Sequence, residues 1–197
     1  MTHDSTATVF LWTNNSALKD GVEKYLKKAG LKIVEGNKAS DYQIYLLHIT
    51  GSTETDTAEL LDQLESLKKK SGKTCLVIIS NSQDNSNWLE KQTSLVGPFL
   101  RDKTLDFRVV RALDIYSAQI SLLNSYIQQL LIDAASSEKI KVSTSGDSLY
   151  YPTSVSDLCD LIIKSLFITN TAGETFTGLG EEMTDLVPEE EAEELLF

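Results

Sequence analysis

Side chains able to attack, ligate or move protons are few in this 197-residue sequence, and their spacing suits none of the common chemistries. A nucleophilic cysteine needs a histidine beside it, and Cys75 and Cys159 have only His3 and His48 to serve them. Cys75 lies in the apolar run CLVII and Cys159 in a helical pattern, so both read as reduced core thiols. Two cysteines so far apart make no disulfide framework. No Cys/His spacing approaches a zinc pattern, so no metal site is assigned. A Gly-x-x-x-x-Gly-Lys-Ser/Thr phosphate loop and a Gly-x-Ser-x-Gly nucleophile elbow are both absent. Asp41, Asp56, Asp62 and Asp84 suggest a receiver-like phosphoacceptor cluster, because the first five elements also fit a flavodoxin-like order. A receiver needs paired acids just after its first strand, however, and this chain has Asn14 and Asn15 there.

That first turn is the most telling stretch. Thr8–Trp12 (TVFLW) reads as a buried strand and Ala17–Ala29 as an amphipathic helix, with Leu18, Val22, Tyr25, Leu26 and Ala29 on one face. Thr13-Asn14-Asn15-Ser16 joins them, and the first glycine comes only at Gly21. A dinucleotide turn needs glycine because the bend is tight and the backbone touches the pyrophosphate. Asn14, Asn15 and Ser16 are left as the weak candidates to meet a phosphate, with Ser16 read as the helix N-cap. The free N–H groups of a helix start leave a small anion site open.

Hydrophobic periodicity sets out the rest. Gly30 closes the first helix, and Leu31–Val34 is a second strand. Tyr42–Leu47 and the wholly apolar Cys75–Ile79 read as central strands, covered on both faces. Between them Thr57–Lys70 is a helix carrying Leu60, Leu61, Leu64 and Leu67, closed by Gly72. A polar loop at Asn81–Asn87 leads to a helix over Trp88–Asp102, kinked or interrupted at Gly97-Pro98. Phe107–Arg111 is the next strand, and a helix from about Ala118 to Ala135 places Ile120, Leu123, Ile127, Leu130 and Leu131 on one face. Lys139–Ser143 reads as a strand and Ser145-Gly146-Asp147 as a turn. Ser154–Phe167 is a long helix with Val155, Leu158, Cys159, Ile162 and Leu166 inward, and Glu174–Thr177 is an edge strand. Alternating strands and helices imply an α/β three-layer sandwich on a mainly parallel sheet.

The net charge of −11 is concentrated at one end. Residues 181–194 hold eight acids and no base, and without them 21 acids face 18 bases, a net of −3. Two regions follow: a domain over 1–180 and an acidic tail or linker over 181–197, whose apolar Leu195-Leu196-Phe197 ending leads to the expectation of a further region. Neither region carries a basic stripe, so nucleic acid is not expected as a partner. No apolar run is long enough to span a bilayer, and MTHDSTAT has no signal-peptide pattern, so the expected location is cytoplasmic.

Several segments, in order, resemble the extended short-chain dehydrogenase/reductase family, the NAD-dependent nucleotide-sugar epimerases and dehydratases. TAELLDQLESLKKKSGKTCLVIISNS is similar to that family's "nlLeaak..gvkrvvyiSSs", and LDFRVVRALDIYS (Leu105–Ser117) to "LDYTILRPANVYG". IKVSTSGDSLYYPTSVSDLCDLIIKSLF resembles its "gdg…r.yvhVdDva.ai..al", with Val155, Asp157 and Leu158 on the matching positions. Residues 173–181 echo "ge.fniggge". The resemblance covers roughly residues 8–181 and implies a Rossmann-like sandwich with a shortened sheet, since only a loop fits between Val34 and Tyr42 where the family has its third strand and helix.

The family's chemistry does not carry over. Lys19 stands where the third glycine falls, and the catalytic Tyr-x-x-x-Lys positions fall near Leu89 and Thr93. None of Tyr25, Tyr42, Tyr45, Tyr116, Tyr126, Tyr150 and Tyr151 has a lysine four residues on. Ser82 matches the catalytic Ser/Thr position and Glu35 the acid that holds the adenosine ribose, both as weak candidates. The expectation is a non-catalytic epimerase/dehydratase-like domain, an interaction or scaffold module with no cofactor and a protein partner through the acidic tail. The alternative is a divergent NAD(P)-dependent nucleotide-sugar epimerase/dehydratase or nucleotide-sugar-binding protein. Family members pair through the helices that here are Thr57–Lys70 and Trp88–Asp102; charge on the first and Pro98 in the second lead to the expectation of a monomer or weak dimer.

Overall fold

The computed structural model describes residues 7–35, 42, 44–50, 54–69, 73–81, 86–102, 106–117, 126–136, 149–178 and 183–184. Six parallel strands form the central sheet: β1 (Thr8–Thr13), β2 (Lys32–Glu35), β3 (Ile44–Thr50), β4 (Thr74–Asn81), β5 (Asp106–Leu113) and β6 (Thr175–Gly178). Their spatial order is β2-β1-β3-β4-β5-β6, which places β3 and β4 in the middle, where their apolar runs had pointed. Among the described residues β2 is an outer strand, and the link at 36–41, read as only a loop, lies outside them.

In β4, Cys75, Val77 and Ile79 face one side while Leu76 and Ile78 face the other, and all are fully buried. Burial on both faces explains why the run shows no polar alternation. One face is covered by α1 (Ser16–Lys28) and α5 (Val155–Phe167), which place Leu18, Val22, Leu26, Leu158 and Ile162 against Val9, Leu46, Leu76 and Val110. The other is covered by α2 (Glu54–Lys68) and α3 (Ser86–Arg101), with Leu60, Leu64, Leu67, Val96 and Phe99 against Tyr45, Leu47, Val77 and Val109. Among the described residues there is one further helix, α4 (Tyr126–Ala135), and two short strand pairs. Ile115–Tyr116 runs parallel to Thr153–Ser154, and Leu149–Tyr150 pairs antiparallel with Met183–Thr184.

Helix α1 ends as its sequence dictates. Gly30 takes φ +88°, and the Leu31 and Gly30 N–H groups donate to the Leu26 and Lys27 carbonyls at 3.1 and 3.0 Å. That is the double hydrogen bond of a helix closed by a left-handed residue. Its start differs from expectation: Asn15 is the N-cap, extended at φ −125°, ψ 101°, and Ser16 is the first helical residue.

Three further expectations are corrected. Helix α3 runs unbroken through Pro98, so the interruption expected there supplies no argument against pairing through α2 and α3. Pro98 is exposed, while Val96 and Phe99 on either side of it are buried against the sheet and hold the adjoining turns together. The polar loop is shorter than expected, since Asn81 ends β4 while Ser86 and Asn87 open α3. Leu131 is 43% exposed, so α4 does not bury the whole face its pattern suggested. Ile120, Leu123, Gly72, the Lys139–Ser143 strand, the 145–147 turn and most of the acidic tail lie outside the described residues. Within that tail Met183–Thr184 forms a strand.

Candidate functional site

In an open parallel sheet, ligands lie outside the carboxyl ends of the strands, where the first helix begins. Here β1, β3 and β4 end side by side beneath the N-terminus of α1. Period-two alternation puts Thr13, His48 and Ser80 on the α1 side of those ends, continuing the rows of Leu11, Leu46 and Ile78. The three side chains join into one chain. Thr13 Oγ1 lies 2.7 Å from His48 Nδ1, and His48 Nε2 lies 2.8 Å from Ser80 Oγ. Both hydroxyls donate or accept, so either neutral tautomer of the imidazole is fully hydrogen-bonded.

His48 is 2% exposed. Burial pushes its pKa down from 6.5 to about 3, because an imidazolium there would lose its hydration. The ring is therefore neutral at physiological pH. The space beside it is about 10 Å³, lined by Leu11, Thr13, Leu18, Lys19, Val22 and Ile78. This is the room of at most one water molecule.

The turn above is equally occupied. Asn15 Oδ1 accepts the Leu18 N–H at 3.0 Å, using one of the donors that a phosphate at a helix start would take. The Asn15 N–H donates to Thr13 Oγ1 at 3.0 Å, so the cap is tied to the same threonine that holds His48. Asn14 is half-buried in this turn, and Ser16 is exposed at the head of the helix. Lys19, half-buried, forms part of the wall of the small space.

Of the other sequence candidates, several lie wholly or by their side chains outside the described residues. Glu35 ends β2 and Leu89 lies in α3, but both side chains fall outside the described residues, as does Ser82 entirely. Thr93 lines a separate cleft on the other face of the sheet, between α3 and β5. Cys75 and Cys159 are free and buried. Burial raises the Cys75 thiol pKa strongly and pushes that of Cys159 up to about 12, with the neighbouring Asp160 carboxylate adding to it. Among the described residues no group of His, Cys, Asp and Glu is placed to hold a metal ion, and no helix is long and apolar enough to cross a membrane.

The loop following β5 turns on Asp114, whose φ is +42°. Its carbonyl accepts the Thr153 N–H at 3.2 Å, which joins the LDFRVVRALDIYS segment to the segment that opens α5. Sequence reasoning missed the His48 chain. A lone histidine in the apolar strand IYLLHIT, at a position facing α1, was its only signal.

No family model and no curated protein matches the sequence. Solved structures do. The dTDP-glucose 4,6-dehydratase of Bacillus anthracis, in complex with NAD, is 13% identical with a TM-score of 0.67, over 91% of this chain and 77% of that one. UDP-glucose 4-epimerase of Thermotoga maritima, with UDP-glucose, is 12% identical with a TM-score of 0.67, over 90% and 79%. A GDP-L-fucose synthetase of Naegleria fowleri bound to NADP is 12% identical with a TM-score of 0.63, over 96% and 79%. This likeness establishes the Rossmann-like fold, with the parallel sheet that the sequence segments had implied.

Proposed function

We propose that this chain is a non-catalytic epimerase/dehydratase-like domain, serving as an interaction or scaffold module without a working dinucleotide site. The observation that supports it most directly is the Thr13–His48–Ser80 chain, packed beneath Lys19 and leaving about 10 Å³. A pyrophosphate seated there would have to displace Lys19 and compete with Asn15 for the Leu18 N–H. The catalytic helix contributes neither the tyrosine nor the lysine, and Thr93 at the lysine position transfers no proton at neutral pH. The acidic segment 181–194 is then the part that engages a protein partner, and the two free thiols suit a cytoplasmic setting.

Melting the protein with NAD and with NADP at millimolar concentration tests this reading. The expected result is no shift with either. A ligand at 100 times its dissociation constant adds about 2.7 kcal/mol, which raises the melting temperature of a chain this size by several degrees. Such a shift would replace this reading with that of a divergent NAD(P)-dependent enzyme or nucleotide-sugar-binding protein.

A further inference from the structure

We propose that residues 189–197 (EEEAEELLF) dock on their own domain, across the last turns of α1 and α5. The two helices cover the same face of the sheet. Each starts beyond the carboxyl end of one parallel strand and leads to the start of another, so they run in the same direction and end together where the strands begin. Two observations settle which flanks face each other. On α5, Leu161 Cδ2 lies 2.9 Å from where a Gly178 Cβ would stand, so that flank faces β6 and the opposite one, with Ile163 and Phe167, faces α1. On α1, the right-handed crossover from β1 to β2 turns the flank of Gly21, Lys24 and Lys28 toward α5, and Gly21 is buried.

The surface so formed is apolar with a basic rim. Phe167 and Ile168 are 49% and 54% exposed, the highest values of any large apolar side chain among the described residues. Ile163, one turn before Phe167, and Tyr25 of α1 are half-buried. Lys24, Lys28 and Lys164 are exposed around them, against one exposed acid, Asp160, a turn back along α5. Lys27 is paired with Glu23, so those two charges cancel. The segment 189–197 has the complementary pattern, five glutamates followed by Leu195-Leu196-Phe197. Docked here, its apolar end covers Phe167 and Ile168 while its carboxylates meet the lysine heads in water. A net charge of −11 sets the whole chain against anionic lipid and nucleic acid, the other partners a basic patch attracts. The reach is sufficient. Thr184 pairs with Leu149, a few residues before α5 begins. The ten residues 185–194 span up to about 33–36 Å, against about 20 Å for the length of α5. A tether this short holds the segment at a local concentration of order millimolar, so a weak site is filled within one molecule. The docking goes beyond the scaffold reading: a partner that takes the tail must first release it from this surface.

The test places a nitroxide on Ala192→Cys in the intact chain, where burial of Cys75 and Cys159 leaves the label to residue 192. Amide NMR in dilute solution is expected to show paramagnetic broadening at Lys28, Ile163 and Phe167. Phe167→Asp and Leu196→Asp are each expected to weaken docking about tenfold, the effect of losing one buried apolar contact, and Lys28→Glu severalfold. Leu196→Asp leaves the domain itself untouched, which covers the case of a Phe167 variant that fails to fold. Broadening that is absent, that falls elsewhere, or that persists in both Phe167→Asp and Leu196→Asp would overturn the proposal. So would broadening of an isotope-labelled chain by a separate spin-labelled one, because a second copy would then be the occupant.

Discussion

Replacing His48 by glutamine should remove a loss of about 2 kcal/mol of stability that the natural chain suffers through this one group between pH 7.5 and 5. In the folded chain the imidazole holds no proton until the pH approaches about 3, whereas in the unfolded chain it takes one up near 6.5. The unfolded state thus binds more protons throughout that interval, and stability falls as the pH drops through it. The full effect, reached below both values, is ~5 kcal/mol, because each unit of difference is worth ~1.4 kcal/mol. At pH 5 the unfolded histidine is already mostly charged, and about 2 kcal/mol is gone. Glutamine keeps a donor and an acceptor for Thr13 and Ser80 but has no proton to gain. It should lower stability at pH 7.5 by ~1–3 kcal/mol through imperfect hydrogen bonds. Urea unfolding of both chains at pH 7.5, 6, 5.5 and 5 gives the two slopes. His3 and every carboxylate are common to both chains, so they cancel in the difference. Parallel slopes would refute the reasoning, and would mean that His48 is charged or solvated in the folded protein.

Three other outcomes follow from the packing. Ile78→Ala should cost ~2–5 kcal/mol in urea unfolding, since the residue is fully buried at the centre of the α1/α5 face; a loss below about 1 kcal/mol would place it at the surface. Asn15→Ala should cost ~1 kcal/mol while Ser16→Ala stays within ~0.5 kcal/mol, because the cap belongs to Asn15, and the reverse order would restore Ser16 as cap. Cys75 and Cys159 should resist a thiol reagent at pH 8 and react once urea unfolds the chain, as their burial and raised pKa values require; rapid native labelling of either would contradict that burial.

Most of the sheet was legible because it obeys period two and its helices period 3.6, both local properties. Cys75–Ile79 announced a strand covered on both faces, and Val155, Leu158, Cys159, Ile162 and Leu166 announced the inner face of α5. The candidate site was less legible, because it is made by contacts across 35 and 32 positions of sequence. Nothing near His48 in the chain says that Thr13 and Ser80 will flank it; only the strand register does. The Asn15 cap has a similar origin. Asn and Ser are equally good caps, and the choice is made by the Asn15 N–H to Thr13 bond that holds residue 15 extended. Pro98 misled because a proline normally breaks a helix interior, whereas burial of Val96 and Phe99 against the sheet outweighs the lost hydrogen bond.

Helix α1 packs beside α5, although more than a hundred residues separate them, while α2 and α3 follow the strands they cover. Synthesis from the N-terminus therefore completes the two faces of the sheet at different times. Once residue 113 has emerged, β1 to β5 and both helices of the α2/α3 face exist and can close through short crossovers. The opposite face keeps Leu46, Leu76 and Val110 without the cover of α5 until residue 167 is made. Between those points a nascent chain carries a half-clad sheet whose apolar side is open to other chains and to chaperones. The last sheet strand, β6, locks beside β5 only after that. The long span between β5 and its final neighbour makes this the slow, entropy-limited closure of the fold.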